Sequence, residues 1–337
     1  MKCLVTGGAG FVGSHAVISL LDAGHEVAVL DNLSTGHLSA VAPGVRFFNV
    51  DLADPVATDR VVASDQWDAV LHFAALSLVG DSMRDPFYYL HNNYVTALNL
   101  IRSCAAHAVP RFVFSSTAAL FGGDHGSEPI VHDARIDPSS PYGESKFFIE
   151  RALVWADRIH GMRSASLRYF NAAGADPLGR LGEDHQPETH LIPLTIDSIL
   201  GRRPGLKLFG NDYPTHDGTC IRDYVHVTDL ADAHILVLSL LDTRSVTYNI
   251  GNGLGFSNLE VVQSVERVSG RKVPWEWAPR RQGDPAVLVA NSTQLSRDTG
   301  WKPRYHELDQ IVETALRWRE AHPYGYREKQ SHDLVAT

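Results

Sequence analysis

Tyr142 and Lys146 stand four residues apart in Pro141-Tyr142-Gly143-Glu144-Ser145-Lys146, a spacing at which these residue types can do proton chemistry. Pro141 suits a first helical turn, and Phe147, Phe148, Ala152 and Trp155 continue an apolar stripe at helical spacing. Positions i and i+4 share a helix face, so the segment predicts a phenol and an ammonium side by side. A tyrosine hydroxyl ionises near pH 10 and is a poor base at neutrality, but a nearby ammonium favours its phenolate; at about 1.4 kcal/mol per unit, one close Lys and a second cation could supply a few units of lowering. A tyrosine tuned in this way takes a proton from an alcohol while hydride leaves the same carbon. The same pattern also describes a helix carrying an interfacial Tyr and a solvated Lys. The elements that position the pair decide between the two.

Those elements start at the N-terminus. Lys2 to Thr6 reads as a short apolar strand, followed by Gly7-Gly8-Ala9-Gly10-Phe11-Val12-Gly13 and a helical pattern from Phe11 to about Ala23. Gly7, Gly10 and Gly13 follow G-x-x-G-x-x-G, in which glycine allows a tight turn and close approach to a pyrophosphate, and the helix N-terminus offers N–H groups to the anion. Glu26 to Leu30 reads as a second strand ending at Asp31, placed to accept the ribose hydroxyls of a dinucleotide. No Arg or Lys follows Asp31 until Arg46, so nothing neutralises a 2′-phosphate and NAD is expected rather than NADP.

Val45 to Val50, Ala69 to Phe73, Arg111 to Ser115 and Ala165 to Tyr169 are further strand-like runs, most of them separated by helical segments. The alternation predicts an α/β fold, a Rossmann-type doubly wound parallel sheet with its ligand site beyond the strand C-terminal ends. Asp51 and Leu52 follow one strand, where they could hold adenine; Phe73-Ala74-Ala75 follow another, where small residues admit a cofactor. Ser115-Ser116-Thr117 ends a third, and Thr117 there would face the cofactor with a hydroxyl able to share a proton with Tyr142.

Length and composition agree with this frame. At 337 residues the chain suggests two domains or one elaborated domain, and its 44% hydrophobic, 20% charged and 9% aromatic residues describe an ordinary globular protein. A net charge of -9 without any Lys/Arg run argues against a nucleic-acid partner. Cys3, Cys104 and Cys220 are odd in number and widely spaced, as free thiols in a reducing compartment would be. The longest apolar stretches, such as Ile235 to Leu241, are too short to span a bilayer, and glycines interrupt any signal-peptide core. A cytoplasmic protein is expected. The seventeen histidines form neither His-Glu-x-x-His nor a Cys/His cluster, so no metal is expected and the histidines read as scattered structural or surface groups.

Together the glycine turn, Thr117, Tyr142 and Lys146 resemble the extended short-chain dehydrogenase/reductase family, and within it the branch that inverts UDP-hexoses at C4. The resemblance spans nearly the whole chain and includes Leu30-Asp31-Asn32-Leu33, His91-Asn92-Asn93, Phe114-Ser115-Ser116-Thr117, Leu167-Arg168-Tyr169-Phe170-Asn171, Phe209 to Thr215, Asp217 to His226 and Ala278 to Asp284. It implies Tyr142 as base, Lys146 as its partner and ribose anchor, and Thr117 as the proton-sharing hydroxyl. It adds Asn32, Asn92 and Tyr169 to the residues around NAD, and places Asn171, His190, Leu191, Arg222, Arg281 and Asp284 around a UDP-sugar. Arginine forks suit a diphosphate, and Asp284 could accept from a ribose hydroxyl. Related 4,6-dehydratases need an acidic pair after the Thr, whereas Ala118 and Ala119 follow here. Ser77 replaces a Lys found near the pyrophosphate in one branch, Phe121 a Tyr, and His190 an Asn. Leu288 falls where side-chain bulk limits the sugar's C2 substituent, and its intermediate size leaves N-acetylated substrates open; 4-epimerisation of a UDP-pentose or UDP-uronate, and a non-catalytic NAD-binding sensor, are the alternatives to acting on UDP-glucose and UDP-galactose.

The resemblance implies an NAD-binding domain over residues 1–170, a smaller C-terminal α/β substrate-binding domain over 171–330, and a segment of about 221–247 that returns to the first. Helices are predicted near His190 to Leu200, Thr228 to Leu241, Asn258 to Val268 and Leu308 to Arg319, and Gln330 to Thr337 reads as a tail. Phe87 to His107 and Phe147 to Ile159 are expected to form a two-helix homodimer face, as in relatives.

Overall fold

A computed structural model describes residues 1–123, 126, 128–281 and 284–327; the expected tail and Gln282-Gly283 lie outside the described residues. The first half alternates as predicted. Strands β1 (Lys2–Thr6), β2 (Glu26–Asp31), β3 (Arg46–Asn49), β4 (Ala69–His72), β5 (Arg111–Thr117) and β6 (Arg163–Tyr169) are interleaved with α1 (Phe11–Asp22), α2 (Pro55–Ala63), α3 (Val79–Arg84), α4 (Pro86–Leu90), α5 (Thr96–Ala106) and α6 (Pro141–His160). A single π-helical turn, His91–Val95, joins α4 to α5. After β6 come β7 (Asn171–Ala173), α7 (Leu191–Ile199), β8 (Leu206–Phe209), β9 (Ile221–Arg222), β10 (Tyr224–His226), α8 (Val227–Leu236), β11 (Val246–Ile250), β12 (Phe256–Ser257), α9 (Asn258–Ser269), β13 (Trp275–Ala278), β14 (Val287–Leu288), α10 (Thr293–Thr299) and α11 (Leu308–Ala321).

Among the described residues the main sheet has seven parallel strands in the order β11-β6-β5-β4-β1-β2-β3. Successive residues of its strands point to opposite faces, and both faces are apolar. Val5, Val29, Leu71, Val113 and Leu167 pack with Val17 and Leu20 of α1 and Leu230 and Ala233 of α8. On the other face Leu4, Leu30, Val70, Phe112 and Phe114 meet Leu100 of α5 and Ile149 and Leu153 of α6. Thus α8 packs on the first half and β11 completes the sheet beside β6, in register Ile250 to Tyr169.

A separate core of Ile192, Ile196, Val261, Val265, Ile311 and Val312 gathers α7, α9 and α11. Small sheets line it: β10 with β7, β12-β9-β14, and β13 with β8. Helix ends follow local chemistry. Ser257 forms a reciprocal capping box with Glu260 at α9, and Gly161 in the left-handed region ends α6. The helix predicted to reach Leu241 stops at Leu236 and tightens into a 3₁₀ turn, Val237–Asp242. Among the described residues no helix is long and apolar enough to cross a membrane.

Candidate active site

The parallel strands deliver their C-terminal ends to one edge. Thr117, the last residue of β5, pairs with Tyr169, the last of β6, while Thr6 lies level with Leu30 and His72. The chain turns sharply after β1, where Gly7 has φ 72° and donates its N–H to Leu30 O at 2.9 Å. A Cβ on Gly7 would fall 2.4 Å from Ala74 N, and one on Gly13 would fall 2.1 Å from Gly7 O. Only glycine permits this approach of backbone to backbone. No side chain caps α1, which leaves the first-turn N–H groups of Phe11, Val12 and Gly13 free to receive an anion, and the glycine turn with them is an anion cradle in form.

Asp31, 7% exposed at the end of β2, is fixed in the turn: Ala9 N–H donates to it at 3.0 Å and Leu33 N–H at 2.8 Å. Burial raises its carboxyl, and those two bonds offset part of the effect. Two carboxylate oxygens retain lone pairs for a ribose. Asn32 donates to Asp51 at 3.0 Å, which joins the ends of β2 and β3 above buried Leu52. Phe73 and Ala74 both donate to Thr6 O, which brings Phe73-Ala74-Ala75 over the turn. Asn92 donates to Tyr88 O from the π turn, and its neighbour Asn93 is the fully buried member, bonded to Leu76 O and Ser145 Oγ.

Ser140 caps α6 by accepting from Gly143 N–H at 3.2 Å. Gly143 lets the helix press on the end of β5, since a Cβ there would lie 2.4 Å from Ala119 O. Tyr142 thereby comes up against the Thr117 side chain, whose Oγ1 accepts from Ala119 N–H at 3.0 Å. Lys146 is 2% exposed and donates to Ser115 O at 2.9 Å, while its Nζ stands 5.9 Å from the Tyr142 ring centre. Tyr169 OH meets Ser115 Oγ at 2.7 Å.

In the protein chain itself the phenol is raised, so the lowering expected from Lys146 with a second cation is not supplied by Lys146 alone. Burial pushes Tyr142 well above its ordinary value, nearby Tyr169 adds to this, and the bond with Thr117 opposes it. Burial also brings Lys146 down to about 7. Burial is the main cause for both groups, and the Lys146 ammonium donates to the Ser115 carbonyl.

In the second half, Arg222 of β9 forms an ion pair with Asp284, so two residues expected to contact different parts of a ligand meet each other. Asp223, fully buried, accepts from Asn252, Gly253 and Ala290 N–H and fixes the β9–β10 corner behind Arg222. Arg281 lies 4.2 Å over the Phe209 ring. Asn171 starts β7 and donates its N–H to Asp223 O. His190 is the N-cap residue of α7, immediately before Leu191, and its Nδ1 lies 2.8 Å from Glu183 and 2.9 Å from Glu188. His185 joins that cluster, so these histidines are not scattered as expected. The Glu-x-His-x-x-Glu-x-His spacing of residues 183–190 was the available signal. Reasoning from sequence also missed Glu150, whose carboxylate takes Arg168 and Ser116 beneath the site.

The model of the NAD dependent epimerase/dehydratase family matches residues 3–251. The chain belongs to that family. It is 46% identical over 331 residues to the UDP-glucose 4-epimerase of Lacticaseibacillus casei, covering 98% of this chain and 100% of that one. The crystal structure of UDP-glucose 4-epimerase from Brucella ovis in complex with NAD superposes with a TM-score of 0.90 at 42% identity, covering 94% and 97% of the two chains. That of Bifidobacterium longum in complex with NAD+ and UDP superposes with 0.91 at 34% identity, covering 96% and 100%. The family is NAD-dependent, and the glycine cradle, Asp31 and the small residues after β4 fit that cofactor.

Proposed function

We propose that this protein is an NAD-dependent UDP-glucose 4-epimerase that interconverts UDP-glucose and UDP-galactose through a 4-keto sugar. The observation that carries the reading is the meeting of Thr117, Tyr142 and Lys146 at the strand edge that holds the glycine cradle. NAD, when bound, supplies a reversible two-electron acceptor for the C4 hydrogen. Tyr142 takes the 4-OH proton, Thr117 shares that proton through its hydroxyl, and Lys146 anchors the nicotinamide ribose. Gly7, Gly10, Phe11, Val12 and Gly13 hold the pyrophosphate. Asp31, Asn32, Asp51, Leu52, Phe73, Ala74, Ala75, Asn92 and Tyr169 complete the cofactor site.

Arg222 and Arg281 hold the diphosphate, Asp284 accepts from the uridine ribose, and Asn171, His190 and Leu191 line the remainder. Anchoring UDP while leaving the hexose loosely held lets the keto sugar present its other face to the same Tyr142. Leu288 lies opposite Arg222 in the small sheet and sets the room beside C2. On this reading residues 1–170 hold NAD and 171–330 hold the UDP-sugar, with a segment of about 221–247 packing back on the first domain. The three buried free thiols accord with a cytoplasmic setting. Phe87, Tyr88, Trp155 and Ile159 are exposed on α4 and α6 and form the homodimer face.

Purified protein incubated with UDP-galactose, without added cofactor, is expected to form UDP-glucose and to yield NAD on denaturation. UDP-N-acetylgalactosamine in parallel reports on Leu288. No conversion of UDP-galactose even after NAD is added refutes the reading.

A further inference from the structure

Between β7 and α7 the chain places Glu183, His185, Glu188 and His190 together, with one ligand-type atom from each inside a 4.8 Å sphere of mutual distances. The carboxylates lie inward, 6% and 10% exposed at their side chains, and the imidazoles lie outward at 28% and 41%. His190 Nδ1 is 2.8 Å from Glu183 Oε1, and His185 Nδ1 is 3.1 Å from that oxygen and 3.8 Å from Glu188 Oε2. A tetrahedral ion with bonds of about 2.0–2.1 Å needs neighbouring ligand atoms roughly 3.3–3.4 Å apart; the His–carboxylate separations lie within about half an ångström of that, and all four atoms lie within 4.8 Å of one another. Two imidazole nitrogens and two carboxylate oxygens are a borderline donor set that suits zinc better than calcium or magnesium.

The surroundings resemble a prepared outer shell. Arg319 donates to Glu188 Oε2 at 3.2 Å and is itself held by Asp197 at 2.8 Å. That arrangement orients one carboxylate from behind. The strap is tied to the cofactor turn, because the His185 ring meets Phe11 edge-on at 6.1 Å and His37 Nε2 bonds Asp184 O at 3.1 Å. It runs directly into α7 at Leu191.

We propose that Glu183, His185, Glu188 and His190 bind one divalent ion of the zinc class, which clamps residues 183–190 between the dinucleotide turn and α7. All four positions come from the protein, so the ion is structural and leaves no coordination site for substrate. On uptake the ring protons of protonated imidazoles pass to solvent. One divalent ion replacing two such protons leaves the net charge of the quartet unchanged. The inference does not depend on the epimerase reading, since its readouts are metal content and spectra.

The test uses full-length protein without an affinity tag, stripped with chelator and titrated with Zn2+ and, separately, Co2+. One equivalent of Zn2+ and a visible band of four-coordinate Co2+ are expected, with a Zn2+-dependent rise in melting temperature. Glu183→Gln and His185→Gln are expected to weaken uptake at least tenfold and abolish the rise. His216→Gln is expected to change neither, although His216 also lies near two carboxylates, Asp217 and Glu260. Wild-type uptake no tighter than in the Glu183 and His185 variants, or equal weakening in His216→Gln, overturns the proposal. Should a cluster variant fail to fold, the Co2+ spectrum of the wild type decides: a pale six-coordinate spectrum refutes the site.

Discussion

Glu150→Gln is expected to cost more than any contact in the site itself suggests. Glu150 lies four residues beyond Lys146 on α6 and is buried, as is Arg168 of β6. Its Oε1 accepts from Ser116 Oγ at 2.6 Å and Arg168 Nε at 2.9 Å, and its Oε2 accepts from an Arg168 terminal nitrogen at 2.6 Å. An amide replaces one of those acceptors with a donor facing a donor, and leaves the guanidinium unneutralised. Removing one member of a buried pair costs about 3–5 kcal/mol. An unfolding entropy of about 2.1 cal/mol/K per residue makes about 0.7 kcal/mol/K for a chain of this length, so the melting temperature should fall by about 4–7 °C. Because Glu150 and Lys146 share a helix face, kcat should drop by up to about 100-fold while KM for the UDP-sugar stays within about twofold. Calorimetry and initial rates read the two effects. Glu150→Leu with Arg168→Met, which removes both charges, should regain most of the lost stability. A Glu150→Gln melt within 1 °C of wild type, or a double variant less stable than either single one, refutes the reasoning.

Tyr142→Phe should lower kcat by about 10²–10⁴-fold with NAD still bound after purification, measured by turnover and by nucleotide released on denaturation. Gly143→Ala should lower kcat although Gly143 carries no chemistry, because its Cβ would meet the Ala119 carbonyl at 2.4 Å; unchanged kinetics would show that α6 can shift without disturbing Tyr142. Burial holds the imidazoles of His15 and His234 near 4 and of His72 and His226 near 3, each helped or opposed by smaller local effects. Unfolded, each ionises near 6.5, so their stability is fully present above that pH and is lost as pH falls toward 3–4, by about 2 kcal/mol per histidine at pH 5. Urea unfolding from pH 7 to pH 5 should show this slope, and His72→Gln should remove about one proton from it. Trp155→Asp should shift the protein to a monomer in sedimentation, since Trp155 is 54% exposed on the proposed dimer face.

Legibility of the fold followed the range of the forces involved. The β1–glycine–α1 unit could be read because backbone contact at Gly7 and Gly13 admits no side chain, and that demand is written in adjacent residues. The main strands could be read because burial on both faces leaves continuous apolar runs such as Ala69-Val70-Leu71. The two- and three-residue strands β7, β9, β10, β12 and β14 are too short to show any period, and tertiary pairing alone creates them. The end of α8 was missed because Val237 to Leu241 stays apolar apart from Ser239 through the 3₁₀ turn, so the pattern did not mark the change of geometry.

Within the site, spacing placed Tyr142 and Lys146 on one helix but could not say where the ammonium points. The carbonyl of Ser115, 31 positions earlier, takes the Lys146 ammonium at 2.9 Å, and burial then raises the phenol instead of lowering it. Likewise Arg222 and Asp284 each read as a ligand contact, yet 62 positions apart in sequence they neutralise one another. Both differences have one physical origin. A buried or half-buried charge takes the strongest partner within reach, and reach is set by the fold rather than by neighbours in the chain. A ligand group entering beside Lys146 or Arg222 therefore meets a side chain already oriented by a protein acceptor. On the proposed reading, a ribose hydroxyl at Lys146 and a phosphate at Arg222 would either take the donors these partners leave over or displace them, which favours groups that match the geometry of a carbonyl or carboxylate.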